Sequence, residues 1–429
     1  MSASAIANVV GRRVWDSRGR PTVEAEVHLA GGAMGRAIAP AGASKGSAEA
    51  VDLRDGGSAF GGYGVATAVG HVNGPIAKAL AGLDAADQDN IDRTLIDLDG
   101  SPNRSSLGDN ALVATSMATL HAAAQAAGQP LWRYLRGSGL DATTLPLPEI
   151  QIFGGGAHAG ARVDIQDFMV VAPGAASFDQ ALEWTAEIYR VAGNLMADSG
   201  RLQGVADEGG YWPAFASNEE ALETLVRAIE RAGFVPGEHV AIALDIAASE
   251  FGAKGRYRLA LDDRELDSDG MIDMLIGWLD RFPIVSIEDP LSEDDKMGLI
   301  RFTKAVGHRV QIVGDDFVVT NAARIKAAAG KGACNCALIK PNQAGTVSEA
   351  KAAVAAARAA GWGSIVSARS GETEDVTIVH LAVGWGVAQL KVGSFARSER
   401  MAKWNEALRV EESLGSSARF AGWSPYRAG

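Results

Sequence analysis

The feature that most constrains the fold is a series of short apolar runs in the second part of the chain. Amphipathic helical segments separate these runs, and each run leads to a charged residue. The runs and their charged residues are Val240–Leu244 with Asp245, Ile284–Ile287 with Glu288, Val310–Gly314 with Asp315, Ala337–Ile339 with Lys340, Ser364–Ser367 with Arg369, and Ala388–Leu390 with Lys391. Short buried strands that alternate with helices are typical of a parallel barrel. Because the carboxyl ends of barrel strands meet at one mouth, the pattern predicts a charged site there.

The three acidic strand ends suggest a metal site. On neighbouring strands, Asp245, Glu288 and Asp315 would repel one another strongly unless a cation lay between them. No histidine or cysteine stands at these ends, and a set of oxygen ligands favours Mg2+ over Zn2+. The sequence therefore predicts a shared Mg2+ site. The alternative is that each acid caps a separate helix.

The lysines at two later strands are candidates for a catalytic base. A Mg2+ ion bound to a substrate carboxylate makes the neighbouring α-proton easier to remove. A lysine can accept that proton only if its pKa is low enough for the neutral amine to be populated. We expect a dication and a second lysine to lower the pKa of Lys340 and Lys391.

The first part of the chain has a different pattern. Thr22–Leu29 alternates apolar and polar residues like a half-buried strand, and Gly31-Gly32 predicts a hairpin turn. From Ala66 the pattern is helical, with a long helix predicted over Ala111–Ala127. We therefore predict an α/β fold in which a smaller α+β domain, residues 1–140, precedes a (β/α)8-like barrel, residues 145–429.

Composition limits the classes of partner. The chain has 429 residues and a formal net charge of −12, which argues against nucleic-acid binding. Its two cysteines, Cys334 and Cys336, lie in an apolar run and are expected to be reduced core thiols. The N-terminus lacks a signal-type apolar core, and no stretch approaches the roughly 18 apolar residues of a membrane span. We expect a cytoplasmic protein without a membrane partner.

Several motifs, in order along nearly the whole chain, resemble those of the enolase family. They are Asp16-Ser-Arg-Gly-Arg-Pro-Thr-Val23, Gly42-Ala-Ser-Lys-Gly46, Asp207-Glu-Gly-Gly210, Ser286-Ile-Glu-Asp-Pro290, Val313-Gly-Asp-Asp316, Lys340-Pro-Asn-Gln343, Arg369-Ser-Gly-Glu-Thr-Glu-Asp375 and Arg397-Ser-Glu-Arg400. The resemblance implies an enzyme that interconverts 2-phosphoglycerate and phosphoenolpyruvate or acts on a similar phosphorylated carboxylate. A lysine base beside Mg2+ is the general rule of the enolase superfamily, so that prediction is not independent of the resemblance.

The resemblance also implies a metal set. Asp245, Glu288 and Asp315 would hold a first Mg2+ ion. Ser44, on a mobile loop, would help to hold a second ion that arrives with the substrate. The family commonly forms dimers or larger rings of dimers, so a homodimer or higher homo-oligomer is expected.

Catalytic roles follow from the same resemblance. Lys340 would be the base at C2, and Lys391 would neutralise the substrate carboxylate. Glu208 would be the acid that helps the C3 hydroxyl to leave, assisted by Gln166 and Asp167.

Three further residues would contact the substrate. The resemblance assigns Arg369 and Ser370 to the phosphate itself. It places His158 on a second mobile loop that closes over the substrate.

This chain departs from the family pattern within the site. Enolases have glutamate at the position of Asp167, histidine at that of Ala368, threonine at that of Lys45 and asparagine at that of Gly154. Aspartate retracts the carboxylate by roughly 1.5 Å, and a displacement of about 1 Å can reduce a rate on the order of 10²-fold. Ala368 opens space, and Lys45 adds a cation to the loop that closes over the phosphate.

These departures leave three hypotheses. The first is a divergent paralogue with altered chemistry, such as the carboxyphosphonoenolpyruvate synthase branch of phosphinate antibiotic biosynthesis, which would take a nucleotide-activated donor as a second substrate. The second is ordinary dehydration of 2-phosphoglycerate with neutral drift at the site. The third is a non-catalytic binding protein on an enolase scaffold.

Overall fold

The computed structural model describes residues 2–137 and 143–426. The chain begins with a three-stranded antiparallel sheet in the order β1-β2-β3, followed by helices. The strands are β1 (Ile6–Trp15), β2 (Pro21–Leu29) and β3 (Met34–Ile38). The helices are α1 (Ala66–His71), α2 (Ala77–Leu80), α3 (Gln88–Asp99), α4 (Asp109–Ala126) and α5 (Leu131–Arg136), with one π-helical turn, Val72–Ile76, between α1 and α2.

The hairpin predicted around Gly31-Gly32 joins β2 to β3, which pair from Glu24 with Ile38 to His28 with Met34. The buried helix α4 covers this sheet. It starts at Asp109, two residues earlier than predicted, and Gly108, at a φ of 94°, is its N-cap residue. A Cβ atom at Gly35 would lie 2.1 Å from the carbonyl oxygen of Ala118, so the contact between strand and helix requires glycine there.

The second part of the chain forms a closed eight-stranded barrel. Its strands, numbered after the short β4 (Thr143–Leu145), are β5 (Leu147–Gly154), β6 (Asp167–Val171), β7 (Ala241–Asp245), β11 (Ile284–Glu288), β12 (Gln311–Gly314), β13 (Cys336–Ile339), β14 (Gly363–Ser367) and β15 (Gln389–Ser394). The strands lie in the order β11-β12-β13-β14-β15-β5-β6-β7. The remaining strands are the small sheet β8 (Gly252–Ala253), β9 (Arg256–Leu259) and β10 (Arg264–Asp267), and β16 (Ala418–Phe420), which pairs with β4.

Helices surround the barrel. They are α6 (Phe178–Asp198), α7 (Asn218–Arg231), α8 (Ser268–Arg281), α9 (Lys296–Val306), α10 (Ala322–Ala329), α11 (Pro341–Ala344), α12 (Val347–Ala359), α13 (Thr377–Trp385) and α14 (Ser398–Leu414). The eight-stranded barrel with its helices confirms the predicted fold class.

One strand departs from the predicted parallel arrangement. The strand β6 pairs antiparallel with both β5 and β7. The segment between β5 and β6 contains only one 3-10 turn, Gly156–Ala159, and a parallel return would need a longer crossover, usually with a helix. The start of β6 therefore lies at the same mouth as the ends of the other strands, with Asp167 paired with Asp245.

Most of the charged strand ends lie as predicted. Asp245 and Glu288 are the last residues of their strands, and Asp315 and Lys340 directly follow theirs. Lys391 differs, because β15 continues past it to Ser394.

Both cysteines are free and buried. None of the helices formed by the described residues is both long and apolar enough to span a membrane. The domain bounds 1–140 and 145–429 stay predictions, and the boundary residues 138–142 and the last three residues lie outside the described part of the chain.

Candidate active site

A narrow polar cavity lies at the barrel mouth. Eleven of the residues predicted for the site line it: Ser44, His158, Gln166, Asp167, Glu208, Asp245, Lys340, Ala368, Arg369, Ser370 and Lys391. Ser367 and Val392 complete the lining. The barrel therefore brings together residues from both ends of the chain.

The reversed strand β6 delivers two polar side chains to this cavity. Gln166 directly precedes the strand and donates from Nε2 to Asp245 Oδ2 at 3.1 Å. Asp167 is the first residue of β6 and is 1% exposed. Its carboxylate accepts a hydrogen bond from the Gln151 amide, and its Oδ2 lies 3.5 Å from Lys391 Nζ. Burial opposes ionisation of Asp167, but His158 and Lys391 hold its pKa below the usual value.

His158 lies between two acids. Its Nδ1 is 3.2 Å from Asp167 Oδ1, and its Nε2 is 3.7 Å from Glu208 Oε1. The same Nε2 lies 3.2 Å from the hydroxyl oxygen of Ser370. Burial lowers the pKa of His158, but Glu208 and Asp167 outweigh burial and raise it to about 9. The imidazole is therefore cationic at neutral pH.

The two lysines act as counter-charges for the acidic strand ends. Lys391 Nζ lies 2.8 Å from both Asp245 Oδ2 and Glu288 Oε2, and Lys340 Nζ donates to Asp315. Burial lowers the pKa of both amines, but the facing carboxylates raise it above the ordinary lysine value. The protein groups by themselves thus raise the pKa of both lysines, whereas a dication is expected to lower it.

The residues at the mouth fit a divalent cation. Glu288 Oε1 and Gln166 Oε1 are buried and have no hydrogen-bond partner among the described residues. The ligands offered by Asp245, Glu288 and Asp315 are all oxygen, which suits Mg2+.

Two other clusters at the mouth contain ligand atoms close enough to hold an ion. They are His158 with Asp167 and Glu208, and Asp289 with Asp315 and Asp316. The predicted triad spans a wider area, because Asp245 and Glu288 converge on Lys391 whereas Asp315 faces Lys340. The Asp289 carboxylate accepts the backbone N–H groups of Asp315 and Asp316, both at 2.9 Å.

The predicted phosphate end is built around Arg369, which is 3% exposed. Its Nη1 donates to Glu49 Oε2 at 3.0 Å and to Asn342 Oδ1 at 3.1 Å. Its Nη2 donates to the carbonyl oxygen of Ser44 at 3.0 Å. Burial lowers the pKa of Arg369, but Glu49 and Asp315 raise it above the usual value.

The loop over residues 41–50 is fastened to this end of the barrel. The Ala43 N–H donates to the Ser370 hydroxyl at 3.1 Å. Lys45 lies apart from the cavity, because its Nζ pairs with Asp52 at 3.2 Å and its side chain is 44% exposed. The role of Lys45 in substrate binding therefore stays a prediction, with no contact in this structure to support it.

Ala368 lies immediately after β14 and is buried at the cavity wall. Its N–H donates to the carbonyl oxygen of Lys391 at 2.8 Å, which fixes its backbone to the neighbouring strand. Its methyl group offers the cavity no hydrogen bond.

Several buried residues of the site could not be predicted from the sequence, among them Glu49, Gln343 and Gln151. Glu49 pairs with Arg369 across 320 residues of sequence, and the Gln343 amide bridges Glu49 and Asp315. The Gln151 amide contacts Asp167. No local pattern indicates such long-range contacts, although Gln343 lies inside a quoted motif and Gln151 is a polar residue within an apolar strand.

Comparison with protein-family models supports the assignment suggested by this geometry. The model described as "Enolase, N-terminal domain" matches residues 6–135. The model described as "Enolase, C-terminal TIM barrel domain" matches residues 142–428. Together the two matches cover nearly the whole chain, and the chain therefore belongs to the enolase family.

Proposed function

We propose that this protein is a Mg2+-dependent enzyme that acts on a substrate of the 2-phosphoglycerate or phosphoenolpyruvate type, and that it removes the C2 proton of a substrate that carries one, as 2-phosphoglycerate does. We further propose that it is a divergent paralogue whose later chemistry differs from dehydration. The observation that carries the first proposal is that one cavity at the barrel mouth is lined by Lys340, Lys391 and Asp245 together with Arg369.

The residues can divide the work as follows. When bound, Mg2+ supplies positive charge that stabilises a substrate carboxylate as its α-proton leaves. Lys340 accepts the proton at C2, and Lys391 faces the substrate carboxylate. Asp245, Glu288 and Asp315 would hold the first ion, and Ser44 would help to hold the second.

Cationic and hydroxyl groups of the same cavity suit a phosphate. Arg369, Ser370 and His158 are all buried in the cavity lining, and His158 Nε2 lies 3.2 Å from the Ser370 hydroxyl oxygen. A protonated His158 would be a second charge-assisted donor to the phosphate, in addition to the Arg369 guanidinium. In this proposal Glu208 transfers a proton at C3, assisted by Asp167 and Gln166.

Altered chemistry is supported by the wall around Glu208. Ala368 presents only a methyl group to the cavity, and Asp167 presents a carboxylate one methylene shorter than the family glutamate. With both changes, fewer side-chain groups can assist a hydroxide that leaves C3. Lys340 and the predicted metal ligands are unchanged. A larger phosphorus group could use the space at Ala368. Formation of carboxyphosphonoenolpyruvate, with a nucleotide-activated donor, is a reaction of that kind.

Two assays on 2-phosphoglycerate with excess Mg2+ test this proposal. Exchange of the C2 proton with solvent deuterium is followed by NMR, and dehydration is followed by phosphoenolpyruvate absorbance. We expect exchange to proceed and dehydration to be on the order of 10²-fold slower. Dehydration as fast as exchange would contradict altered chemistry, and absence of exchange with every candidate substrate would contradict the Lys340 mechanism.

A thermal-shift series would identify a second substrate. Phosphoenolpyruvate and cytidine nucleotides are added separately and together, each with Mg2+. A shift with the nucleotide that requires Mg2+ would support a nucleotide-activated donor. A shift with phosphoenolpyruvate alone would favour a single substrate.

Ordinary dehydration is the second candidate. It is favoured by the close approach of the side chains of Glu208, His158 and Asp167, which lie where the resemblance expects the C3 hydroxyl to leave. The absorbance assay decides between the two reactions. A purified protein that does not bind Mg2+ would instead favour the non-catalytic hypothesis. The predicted homodimer or larger assembly can be tested by sedimentation.

A further inference from the structure

Gln151 is a buried side chain to which no role has been assigned, although it connects two of the acid-bearing segments of the site. It lies on β5 and is 0% exposed. Its Nε2 donates to Asp167 Oδ1, and its Oε1 accepts the Gly210 N–H at 2.8 Å. Gly210 is two residues from Glu208, so one carboxamide contacts both the Asp167 carboxylate and the segment that carries Glu208.

The space around this carboxamide is closed on two sides by glycine. A Cβ atom at Gly210 would lie 2.4 Å from Gln151 Oε1, and one at Gly154 would lie 2.9 Å from the same oxygen. A larger residue at either position would therefore displace the glutamine amide. Gly154 is one of the positions where this chain departs from the family asparagine, so the departure supplies room that Gln151 occupies.

Asp167 has little freedom to move toward or away from Gln151. Its Oδ1 also meets His158 Nδ1 at 3.2 Å, and Lys391 Nζ lies 3.5 Å from its Oδ2. A longer side chain at position 167 would push the carboxylate into these partners. A shorter one at position 151 would leave the carboxylate without its amide donor and the Gly210 N–H without its acceptor.

We propose that Gln151 is a positioning residue for Asp167, and that the two side chains form a pair matched in length. Gln151 contributes two methylenes and Asp167 one, so that the amide meets the carboxylate at the cavity wall. The inference rests on the proposed function in one respect, namely that Asp167 assists Glu208. It follows that restoring glutamate at position 167 alone harms the site instead of repairing it.

A double-mutant cycle tests the pair. The variants are Gln151→Asn, Asp167→Glu and the double variant, which keeps the summed length of the two side chains. Gln389→Asn, alone and with Asp167→Glu, is the matched control, because Gln389 is an equally buried barrel amide that contacts Glu149 and Gln311. Coupled residues deviate from additivity, whereas independent ones do not.

Two properties are measured for each variant of the cycle. The first is the thermal midpoint of unfolding, which we expect each single variant to lower by several degrees. The second is the NMR titration of His158, whose pKa of about 9 depends on Asp167. Each single variant should shift that pKa away from the wild-type value, because it changes the distance between the carboxylate at position 167 and the imidazole. A general loss of stability would not move this titration.

The outcomes are distinct. In the double variant, the decrease in the thermal midpoint should be smaller than the sum of the decreases in the two single variants. The His158 pKa should return toward the wild-type value. Additive losses, as expected for the Gln389→Asn control, would overturn the pairing. If Asp167→Glu fails to fold, restoration of folding by adding Gln151→Asn supports the pair, and failure of the double variant while Gln151→Asn folds overturns it. Because neither measurement uses a substrate, a negative activity assay would reject the proposed function without affecting this result.

Discussion

At the scale of single residues, the site is built from opposite charges that neutralise one another inside the barrel mouth. Lys391 meets Asp245 and Glu288, Lys340 meets Asp315, and His158 meets Asp167. Each partner would be costly to bury alone. Each of these cationic groups therefore already faces a carboxylate, and a metal ion or a substrate would have to replace contacts that already exist.

The first prediction concerns Lys340. Replacing it as Lys340→Gln should reduce C2 deuterium exchange by about 10²- to 10⁴-fold, the usual contribution of a general base. The exchange rate is measured by NMR with 2-phosphoglycerate and Mg2+. Lys331→Gln, at an exposed lysine of the same barrel, is the control and should exchange normally. Undiminished exchange in Lys340→Gln would remove this lysine from the mechanism.

The second prediction concerns His158 and pH. Its folded-state pKa of about 9 lies above the ordinary value of 6.5 that applies to the unfolded chain. The stabilisation is therefore complete below about pH 6.5 and is lost as pH rises through 9, with a total of up to about 3 kcal/mol. Denaturant titrations from pH 6 to 10 measure the slope. The slope should be much shallower in His158→Gln, and an equal slope in both proteins would contradict the assignment.

At the scale of elements, the strand pattern predicted much of the site but not its full geometry. The apolar runs predicted β7 and β11 with their acidic ends, because burial and a terminal charge are both visible in the local sequence. The reversal of β6 is not visible there, since the direction of a strand in the sheet depends on the length of the connection and not on the strand's own composition. The sequence also could not predict that Lys391 lies within β15, or that Glu49 reaches Arg369, because tertiary packing decides both.

The Glu49–Arg369 pair fastens the loop over residues 41–50 to the barrel. In Glu49→Gln, the Arg369 charge would stay buried without its main counter-charge, and we expect the free energy of unfolding to fall by about 3 kcal/mol. Denaturant unfolding measures the change. Glu412→Gln, at an exposed position of α14, should leave stability unchanged. A loss no larger than that of the control would show that the pair contributes nothing to stability.

At the scale of the whole molecule, polar contacts join the N-terminal helices to the barrel helices. Asp92 of α3 is 1% exposed; it accepts from the Ser348 N–H of α12 at 2.8 Å and from the Ser116 hydroxyl of α4 at 2.6 Å. Arg104 pairs with Glu349 of the same barrel helix. The smaller domain is thereby held at the barrel mouth, where its loop carries Ser44.

Removing the Asp92 carboxylate should weaken this junction. Asp92→Ala leaves the partly buried Ser348 N–H and the buried Ser116 hydroxyl without the Asp92 carboxylate as acceptor, which costs about 1–3 kcal/mol. Asp97→Ala, on the exposed face of the same helix, is the matched control. Both are measured by denaturant unfolding, and equal stabilities in the two variants would show that the contact does not hold the domains together.

The reversed strand has a consequence for how such an enzyme can change. Because β6 runs back along β5, one continuous hairpin carries Gln151, Gly154, His158, Gln166 and Asp167, whereas the predicted metal ligands and both lysines lie on other segments. A short stretch of gene therefore encodes much of the cavity wall around Asp167. Exchanging that stretch between paralogues would change this wall and leave the predicted metal ligands and both lysines unaltered.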